Sequence, residues 1–186
     1  TEEDLDHAQG EVQIRGEARS HDQAIDAPGR PAAHREFLRS HDAMVGAIPD
    51  EESRWRRRHN YYLNCMRDVD RNISAVLAEL DASGVADRTI IVLTADHGDM
   101  DGAHKLHAKG AVAYREQNNV PLIVVHPALA GGKRCRAITS HVDLAPTLLS
   151  LTGVGPQRTA TIAKRLPGKD FSAVLRTPES ARVNDV

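Results

Sequence analysis

Apolar side chains between positions 62 and 80 recur at intervals of three and four residues. This spacing places them on one face of an α-helix. Gly84 comes shortly after the last of them, and glycine commonly ends a helix. The pattern predicts a helix over Tyr62–Leu80 that ends before Gly84, and its apolar positions are Tyr62, Leu63, Met66, Val69, Ile73, Val76, Leu77 and Leu80.

Two short apolar runs further along the chain are typical of β-strands. Thr89–Thr94 is apolar and β-branched, which favours a strand covered on both faces. Val120–Val125 is the second run, and its Pro121 suits the start of a strand, where no ladder N–H is needed. We expect the two strands to be parallel neighbours or near neighbours, with the Tyr62–Leu80 helix on one face of their sheet. Helix, strand, long loop and strand in succession indicate an α/β fold.

Composition along the chain suggests three regions. Residues 1–58 are polar and mixed in charge, and we expect them to form peripheral loops and short helices. Residues 59–154 carry the helix, both strands and a further predicted helix, Leu144–Leu151, which opens near Asp143 and stops at Gly153. Residues 155–186 are expected to form a peripheral tail.

The charge balance excludes one class of function. Lys and Arg total 24 against 26 Asp and Glu, a formal net charge of −2, so we expect no general binding to nucleic acid. The basic run Arg54–Arg58 is typical of a solvated helix start. No apolar stretch approaches the ~20 residues of a membrane-spanning helix, so no membrane partner is expected.

The segment after the first predicted strand carries the candidate chemistry. Ligands of open α/β sheets bind beyond the carboxyl ends of strands, and Asp96 and His97 lie there. A carboxylate and an imidazole are competent ligands for one divalent cation if the chain leaves strand geometry, and Gly98 permits such a bend. The other ligands would come from elsewhere in the fold. The alternative is an ordinary turn in which Asp96 caps the next segment.

Basic side chains follow this pair within thirteen residues. His104, Lys105 and Lys109 could hold a tetrahedral oxyanion beside a metal, with Lys109 as a point charge on its oxygens. One alternative is that Lys109 is an ordinary surface lysine. Another is that His104 and His107, which have H-x-x-H spacing, contribute to a local Asp/His zinc site.

Several segments together resemble sulfatases of the alkaline phosphatase superfamily. Thr89–Gly98, Gly102–His104, Lys109–Gly110 and Val120–Ile123 resemble the metal and substrate segment of that family, and Ser140–Leu149 resembles its later D-x-x-P-T-L-L helix. The resemblance implies an alkaline-phosphatase-like α/β fold with a parallel-sheet core. Residues 59–154 would then be the carboxyl-side half of the catalytic domain, and 155–186 would lead toward a carboxyl-terminal subdomain.

The same resemblance implies roles for the loop residues. Asp96 and His97 would bind the active-site metal, Lys109 would bind the sulfate and act in catalysis, and His104 would bind substrate in the same pocket. The implied reaction is metal-dependent hydrolysis of a small-molecule sulfate ester. The family implies calcium, although the imidazole of His97 makes manganese a competitor. Sulfatases often have Asn in place of His97, so a phosphonate monoester or phosphodiester hydrolase of the same superfamily is an alternative.

Neither cysteine fits the nucleophile of that family. The family motif C-x-[PA]-x-R carries a cysteine that is oxidised to formylglycine, and the residues after Cys65 and Cys135 do not match it. We expect both cysteines to be buried small hydrophobes, and the formylglycine to lie in a segment outside this chain. The chain alone should therefore not turn over esters at an enzyme-like rate. The alternative of a different class is a non-catalytic chain that binds a metal or a partner.

Overall fold

A computed structural model describes residues 24–49 and 51–177. This part of the chain holds helices and two strands in alternation, as an α/β organisation predicts, joined in places by single 3₁₀ turns. The elements are α1 (Ala32–Val45), α2 (Glu52–Ala82), β1 (Ile91–Thr94), α3 (Arg115–Asn118), β2 (Leu122–Val125), α4 (Leu144–Leu151), α5 (Pro156–Ala163) and α6 (Ser172–Arg176), with 3₁₀ turns at Ala86–Arg88, Ala103–Lys105 and His141–Asp143.

The helix predicted over Tyr62–Leu80 is present and longer than predicted. α2 has 31 residues. It begins before the predicted start because its first turns are rich in Glu and Arg, which favour helices. Arg56 in these turns donates a hydrogen bond to the Glu52 carboxylate at 2.6 Å. Beyond its end Gly84 has a φ of 66°, a left-handed conformation that glycine adopts without strain. The apolar face that predicted the helix is exposed: Val76, for example, keeps 67% of its surface.

Both predicted strands are present, and they are hydrogen-bonded neighbours. β1 and β2 form a two-stranded sheet within the described residues, and each has four residues. β1 starts later than predicted, because Thr89 is tied to the preceding 3₁₀ turn by its hydroxyl, which donates to the carbonyl of Val85 at 2.7 Å. Leu93 and Ile123 are exposed, so coverage of the strands on both faces is not seen in the part of the chain described.

The chain forms two compact units. The first unit contains the described residues up to Gly84 together with Leu93–Leu122, and the second contains Val85–Val92 and the described residues from Ile123 onward. The core of the first unit consists of Met100, Ala103, Leu106 and Val112, packed against Ile25, Phe37, Leu38 and Tyr114. The loop after β1 therefore supplies most of that core, which fixes the loop in place.

The predicted helix Leu144–Leu151 is confirmed, and a buried aspartate, Asp143, anchors the 3₁₀ turn directly before it. The Asp143 carboxylate accepts hydrogen bonds from the backbone N–H groups of Ser140 and Lys169, both at 2.8 Å. The Thr147 hydroxyl donates to the carbonyl of Asp143 at 2.6 Å and accepts from the N–H of Phe171 at 3.0 Å. Asp143 and Thr147 are almost completely buried. The D-x-x-P-T string thus has a structural role in this unit.

Some residues of the two segments expected at the periphery, 1–58 and 155–186, are not among the described residues. Residues 1–23, residue 50 and residues 178–186 are outside the described residues. Within 1–58 the structure has α1 and the start of α2, and within 155–186 it has α5 and α6. None of the helices among the described residues combines the length and hydropathy needed to cross a bilayer.

Candidate functional site

The loop between β1 and α3 is held in a compact fold by its own backbone. The N–H of Met100 donates to the carbonyl of Ala108 at 3.0 Å, and the N–H of Gly102 donates to the carbonyl of Leu106 at 2.8 Å. Met100 and Leu106 are buried. Four non-glycine residues have positive φ in this loop, namely Asp101, His104, Lys105 and Ala108. Such backbone is uncommon outside glycine and persists where the surroundings enforce it.

Asp96 and His97 lie side by side at the start of this loop. Because β1 ends at Thr94, the two side chains are freed from strand alternation, and Nε2 of His97 lies 3.2 Å from Oδ2 of Asp96. The N–H of His97 also donates to Oδ1 of Asp96 at 3.0 Å. This backbone N–H is the main cause that lowers the pKa of Asp96 below its ordinary value, and Lys109 contributes to the same shift. Asp96 is exposed, and His97 is half-buried.

The ring of His97 is oriented by its neighbour. Nδ1 lies 2.8 Å from the carbonyl oxygen of Gly98, and a carbonyl only accepts, so Nδ1 carries the proton. In the neutral ring Nε2 then has a free lone pair. Nε2 is buried and lacks a hydrogen bond, and it faces the Asp96 carboxylate. These two atoms suit adjacent positions around one cation.

Gly98 has a different role from the bend that the sequence suggested. A Cβ at this position would collide with the backbone carbonyl of Glu116. The N–H of Gly98 donates to the carbonyl of Gln117 at 2.8 Å. Glycine is therefore needed here for the close approach of α3 to the loop.

Gln117 joins the two ends of the loop, a role the sequence did not suggest. Its carbonyl binds Gly98, and its side chain exchanges two hydrogen bonds with Gly110, at 2.8 and 3.0 Å. The side-chain amide also donates to the carbonyl of Val112 at 3.0 Å. Asp96–Gly98 and Lys109–Gly110 are thereby tied to the same residue. Lys109 itself is exposed, so its ammonium group is accessible to an anion.

A second clamp joins α2 to the loop. Oδ1 of Asp99 accepts hydrogen bonds from the N–H groups of Asp101 and Ala108, at 2.7 and 3.1 Å, and from Arg58 at 3.2 Å. Arg58 also donates to the Asp101 carboxylate at 3.2 Å, and His59 donates to the Asp101 carbonyl at 2.8 Å. Burial raises the pKa of Asp101, and the charges of His59 and Arg58 act against this rise. The sequence showed only a basic run and a D-x-D string.

His104 is held by an aromatic neighbour. Its ring stacks on Tyr114 with centroids 3.9 Å apart, and its carbonyl accepts a hydrogen bond from Arg30 at 2.6 Å. His107, three positions later, contacts Asp42 and His41 of α1 instead. The two histidines of the H-x-x-H string thus have different surroundings. Within the described residues, His41, Asp42 and His107 form a His/Asp group suited in composition to a metal ion.

Cys65 and Cys135 are both exposed, so the expectation of buried cysteines is wrong. The preference of free cysteine for burial is statistical, and Cys65 lies on the exposed surface of α2.

The sequence matches the Sulfatase family over residues 9–154. It is 32% identical over 151 residues to the uncharacterized sulfatase YidJ of Escherichia coli K12, a match that covers 80% of this chain and 27% of YidJ. It is 40% identical over 94 residues to an N-acetylglucosamine-6-O-sulfatase of Bacteroides thetaiotaomicron, covering 50% of this chain and 17% of that protein. The chain thus spans less than a third of the length of either relative.

Solved structures resemble the chain as well. The structure of BT4656 in complex with its substrate, D-glucosamine-2-N,6-O-disulfate, aligns with a TM-score of 0.62 at 27% identity, over 80% of this chain and 31% of that one. A phosphonate monoester hydrolase from Silicibacter pomeroyi aligns with a TM-score of 0.63 at 30% identity, over 76% of this chain and 28% of that one. These similarities confirm the predicted α/β fold of the alkaline-phosphatase-like type.

Proposed function

Because this chain belongs to the sulfatase family, we propose that it carries the metal- and sulfate-binding loop of an enzyme that hydrolyses sulfate esters. The observation that carries the proposal is the pair Asp96 and His97, with a buried, unpaired ring nitrogen 3.2 Å from a carboxylate oxygen. Such an arrangement is favourable when a cation lies between the two groups.

A divalent metal ion is implied by the family, and we assign it to Oδ2 of Asp96 and Nε2 of His97. The hydrogen bond from Nδ1 of His97 to the Gly98 carbonyl supports this assignment, because such a contact commonly orients metal-binding histidines. Calcium is the ion that the family resemblance implies, and the nitrogen ligand favours manganese. The bound ion supplies Lewis-acid polarisation of the ester oxygens and the nucleophile.

Lys109 binds the sulfate in this proposal and stabilises the negative charge that develops in the transition state. Its exposure and its electrostatic influence on Asp96 support this role. Gln117 and the Asp99–Arg58 clamp keep Lys109 and the metal pair at the two ends of one rigid loop. His104 contacts the substrate from its stacked position on Tyr114.

The nucleophile in this proposal is a formylglycine from outside the residues printed here. Neither Cys65 nor Cys135 stands in the motif that is converted to formylglycine. In the whole protein, residues 59–154 form the carboxyl-side half of the catalytic domain, flanked by the peripheral segments 1–58 and 155–186. The exposed apolar face of α2 is compatible with further burial in a larger domain.

The substrate class we propose is a small-molecule sulfate ester. The complex of BT4656 with a sulfated glucosamine supports this choice, as does the similarity to an N-acetylglucosamine-6-O-sulfatase. A phosphonate monoester hydrolase is the second candidate, favoured by the likeness to the Silicibacter pomeroyi enzyme.

The metal assignment is tested by titrating the chain with Mn²⁺ and following the free ion by electron paramagnetic resonance. We expect Asp96→Asn and His97→Gln each to weaken the binding of Mn²⁺ to this pair. The control variant Asp42→Asn should keep that binding. Two protein ligands leave most positions to water, so binding should be weak. Equal binding by the wild type, Asp96→Asn and His97→Gln would refute the assignment.

Anion binding is tested by titrating inorganic sulfate and methylphosphonate into the Mn²⁺-loaded chain. Lys109→Ala should lose sulfate binding, whereas Lys133→Ala, which removes an exposed lysine elsewhere, should not. Tighter binding of methylphosphonate would favour the second candidate. We also expect no multiple turnover of an aryl sulfate by the chain alone. Turnover that Lys109→Ala abolishes would show that the chain contains a complete site.

A further inference from the structure

His41, Asp42 and His107 meet in the interior of the first unit, away from any role assigned above. His41 and Asp42 are adjacent in the last turns of α1, and His107 comes from the loop after β1. His107 is only 3% exposed, and the side chains of His41 and Asp42 keep 15% and 33% of their surface. The group is thus reachable from solvent on the Asp42 side and closed on the His107 side.

The three side chains are arranged as ligands around a common point. Nε2 of His107 lies 3.2 Å from Oδ1 of Asp42, and Nδ1 of His41 lies 4.0 Å from the same oxygen. One nitrogen from each ring and one carboxylate oxygen all lie within 4.8 Å of one another. Ligand atoms around a tetrahedral zinc ion, at ~2.0–2.2 Å from the metal, are about 3.3 Å apart. The widest of these separations would therefore have to shorten by up to about 1.5 Å to reach that geometry.

Buried polar atoms in this group lack hydrogen bonds. Nδ1 of His41 and Oδ1 of Asp42, which face the common point, are buried without a hydrogen-bond partner. Buried polar atoms are almost always paired, so a cluster of unpaired ones calls for an explanation such as an ion. The nearby cation of Arg58 does not fill this role, because it forms ion pairs with Asp99 and Asp101 at 3.2 Å.

We propose that His41, Asp42 and His107 form a binding site for Zn²⁺ or a similar transition-metal ion, separate from the Asp96–His97 pair. Two imidazoles and one carboxylate are a ligand set that zinc accepts, with water in the fourth position. Calcium prefers six to eight oxygen ligands and finds one carboxylate here. The site joins α1 to the loop that carries Lys109, so an ion bound there stabilises that loop. This inference does not depend on the sulfatase proposal.

The chain contains a reporter for this site. Trp55 is the only tryptophan in the sequence, and its ring centroid lies 6.3 Å from that of His107. Co²⁺ replaces Zn²⁺ in such sites, absorbs visible light more strongly when tetrahedral, and quenches a nearby indole. We expect Co²⁺ to quench Trp55 fluorescence and to give the visible bands of a tetrahedral complex, Zn²⁺ to displace it, and Ca²⁺ to leave both signals unchanged.

The test compares variants of the full 186-residue chain. Asp42→Asn and His41→Gln should each weaken Co²⁺ binding at least ~tenfold, because each removes a ligand. Both residues are partly exposed, so the variants should fold, which circular dichroism checks. Asp96→Asn should keep the tetrahedral bands and the quenching of Trp55, and the exposed-histidine control His141→Gln should bind Co²⁺ like the wild type. If Asp42→Asn binds Co²⁺ as tightly as the wild type, or if Asp96→Asn loses the tetrahedral bands, the proposal is wrong.

Discussion

The two compact units treat their buried polar groups in opposite ways. In the second unit, the Asp143 carboxylate accepts two backbone N–H groups, and the Thr147 hydroxyl both donates and accepts. In the first unit, buried atoms of His41, Asp42, His97 and His107 lack hydrogen bonds. Saturated polar groups stabilise a fold, whereas unsaturated ones cost stability and are kept where a ligand completes them. The contrast agrees with our proposal that the first unit binds ligands and the second serves as scaffold.

The largest effect should follow from breaking the saturated network. Asp143→Ala removes a buried carboxylate that accepts hydrogen bonds from two backbone N–H groups, so we expect it to lower the free energy of unfolding by about 3–5 kcal/mol. Urea denaturation followed by circular dichroism measures the loss. Asp87→Ala, at an exposed position in a 3₁₀ turn, is the control and should change stability by less than about 0.5 kcal/mol. Equal stability of Asp143→Ala and the wild type would contradict the conclusion that these hydrogen bonds stabilise the second unit.

A smaller loss should follow from the equivalent change in the first unit. Asp99 accepts three hydrogen bonds, from Asp101, Ala108 and Arg58, but its side chain is partly exposed, so water can replace some of them. We expect Asp99→Ala to lower the free energy of unfolding by about 1–3 kcal/mol.

Asp99→Ala should also loosen the loop that carries Lys109. Amide hydrogen exchange at Ala108 and Asp101 measures this directly, because their N–H groups lose their acceptor. Unchanged protection of both amides would show that the backbone alone holds the loop.

Much of this contrast could not be predicted from the sequence. Periodicity found the helix at Tyr62–Leu80 and both strands, because one helix face and two β-branched runs leave a local signal. The resemblance pointed to Asp96, His97 and Lys109 as a group. The Arg58–Asp99 clamp and the meeting of His107 with Asp42 depend on tertiary packing of residues far apart in the chain. The spacing of residues along the chain does not predict such pairs.

The buried histidines of the first unit, His34 and His107, should make its stability depend on pH. Burial lowers the pKa of both His107 and His34 below the ordinary value of 6.5. For His107, the charge of His41 lowers the pKa further, and Asp42 acts in the opposite direction. For His34, the charge of Arg30 lowers the pKa further. The unfolded chain therefore binds protons near pH 6.5 before the folded chain does. We expect the free energy of unfolding, measured in chelator, to fall as the pH drops from 7 toward about 5.

Variants assign this pH dependence to the two histidines. His107→Gln and His34→Gln should each flatten the slope between about pH 5 and 7, because a side chain that does not titrate contributes nothing to it. His141→Gln, at an exposed position, should retain the wild-type slope. A slope that survives in the double variant would place the proton uptake elsewhere.

The smallest effect on stability should come from Lys109, the residue to which we assign the sulfate. Its side chain is exposed, so Lys109→Ala should change the free energy of unfolding by less than about 0.5 kcal/mol. The same change should raise the pKa of Asp96 slightly, because the lysine is one cause of its lowered value. Titration of the Asp96 carboxyl group by nuclear magnetic resonance measures that shift at low ionic strength, where screening is weakest.

Most of the lowering of the Asp96 pKa should nevertheless remain in Lys109→Ala. The backbone N–H of His97 is its main cause, and that hydrogen bond is intact in the variant. Lys133→Ala is the control and should leave the pKa of Asp96 unchanged. If Lys109→Ala returned the pKa to its ordinary value, the lysine would be paired with Asp96 and occupied. Its ammonium group would then be saturated like the polar groups around Asp143, and it would not be available to a sulfate.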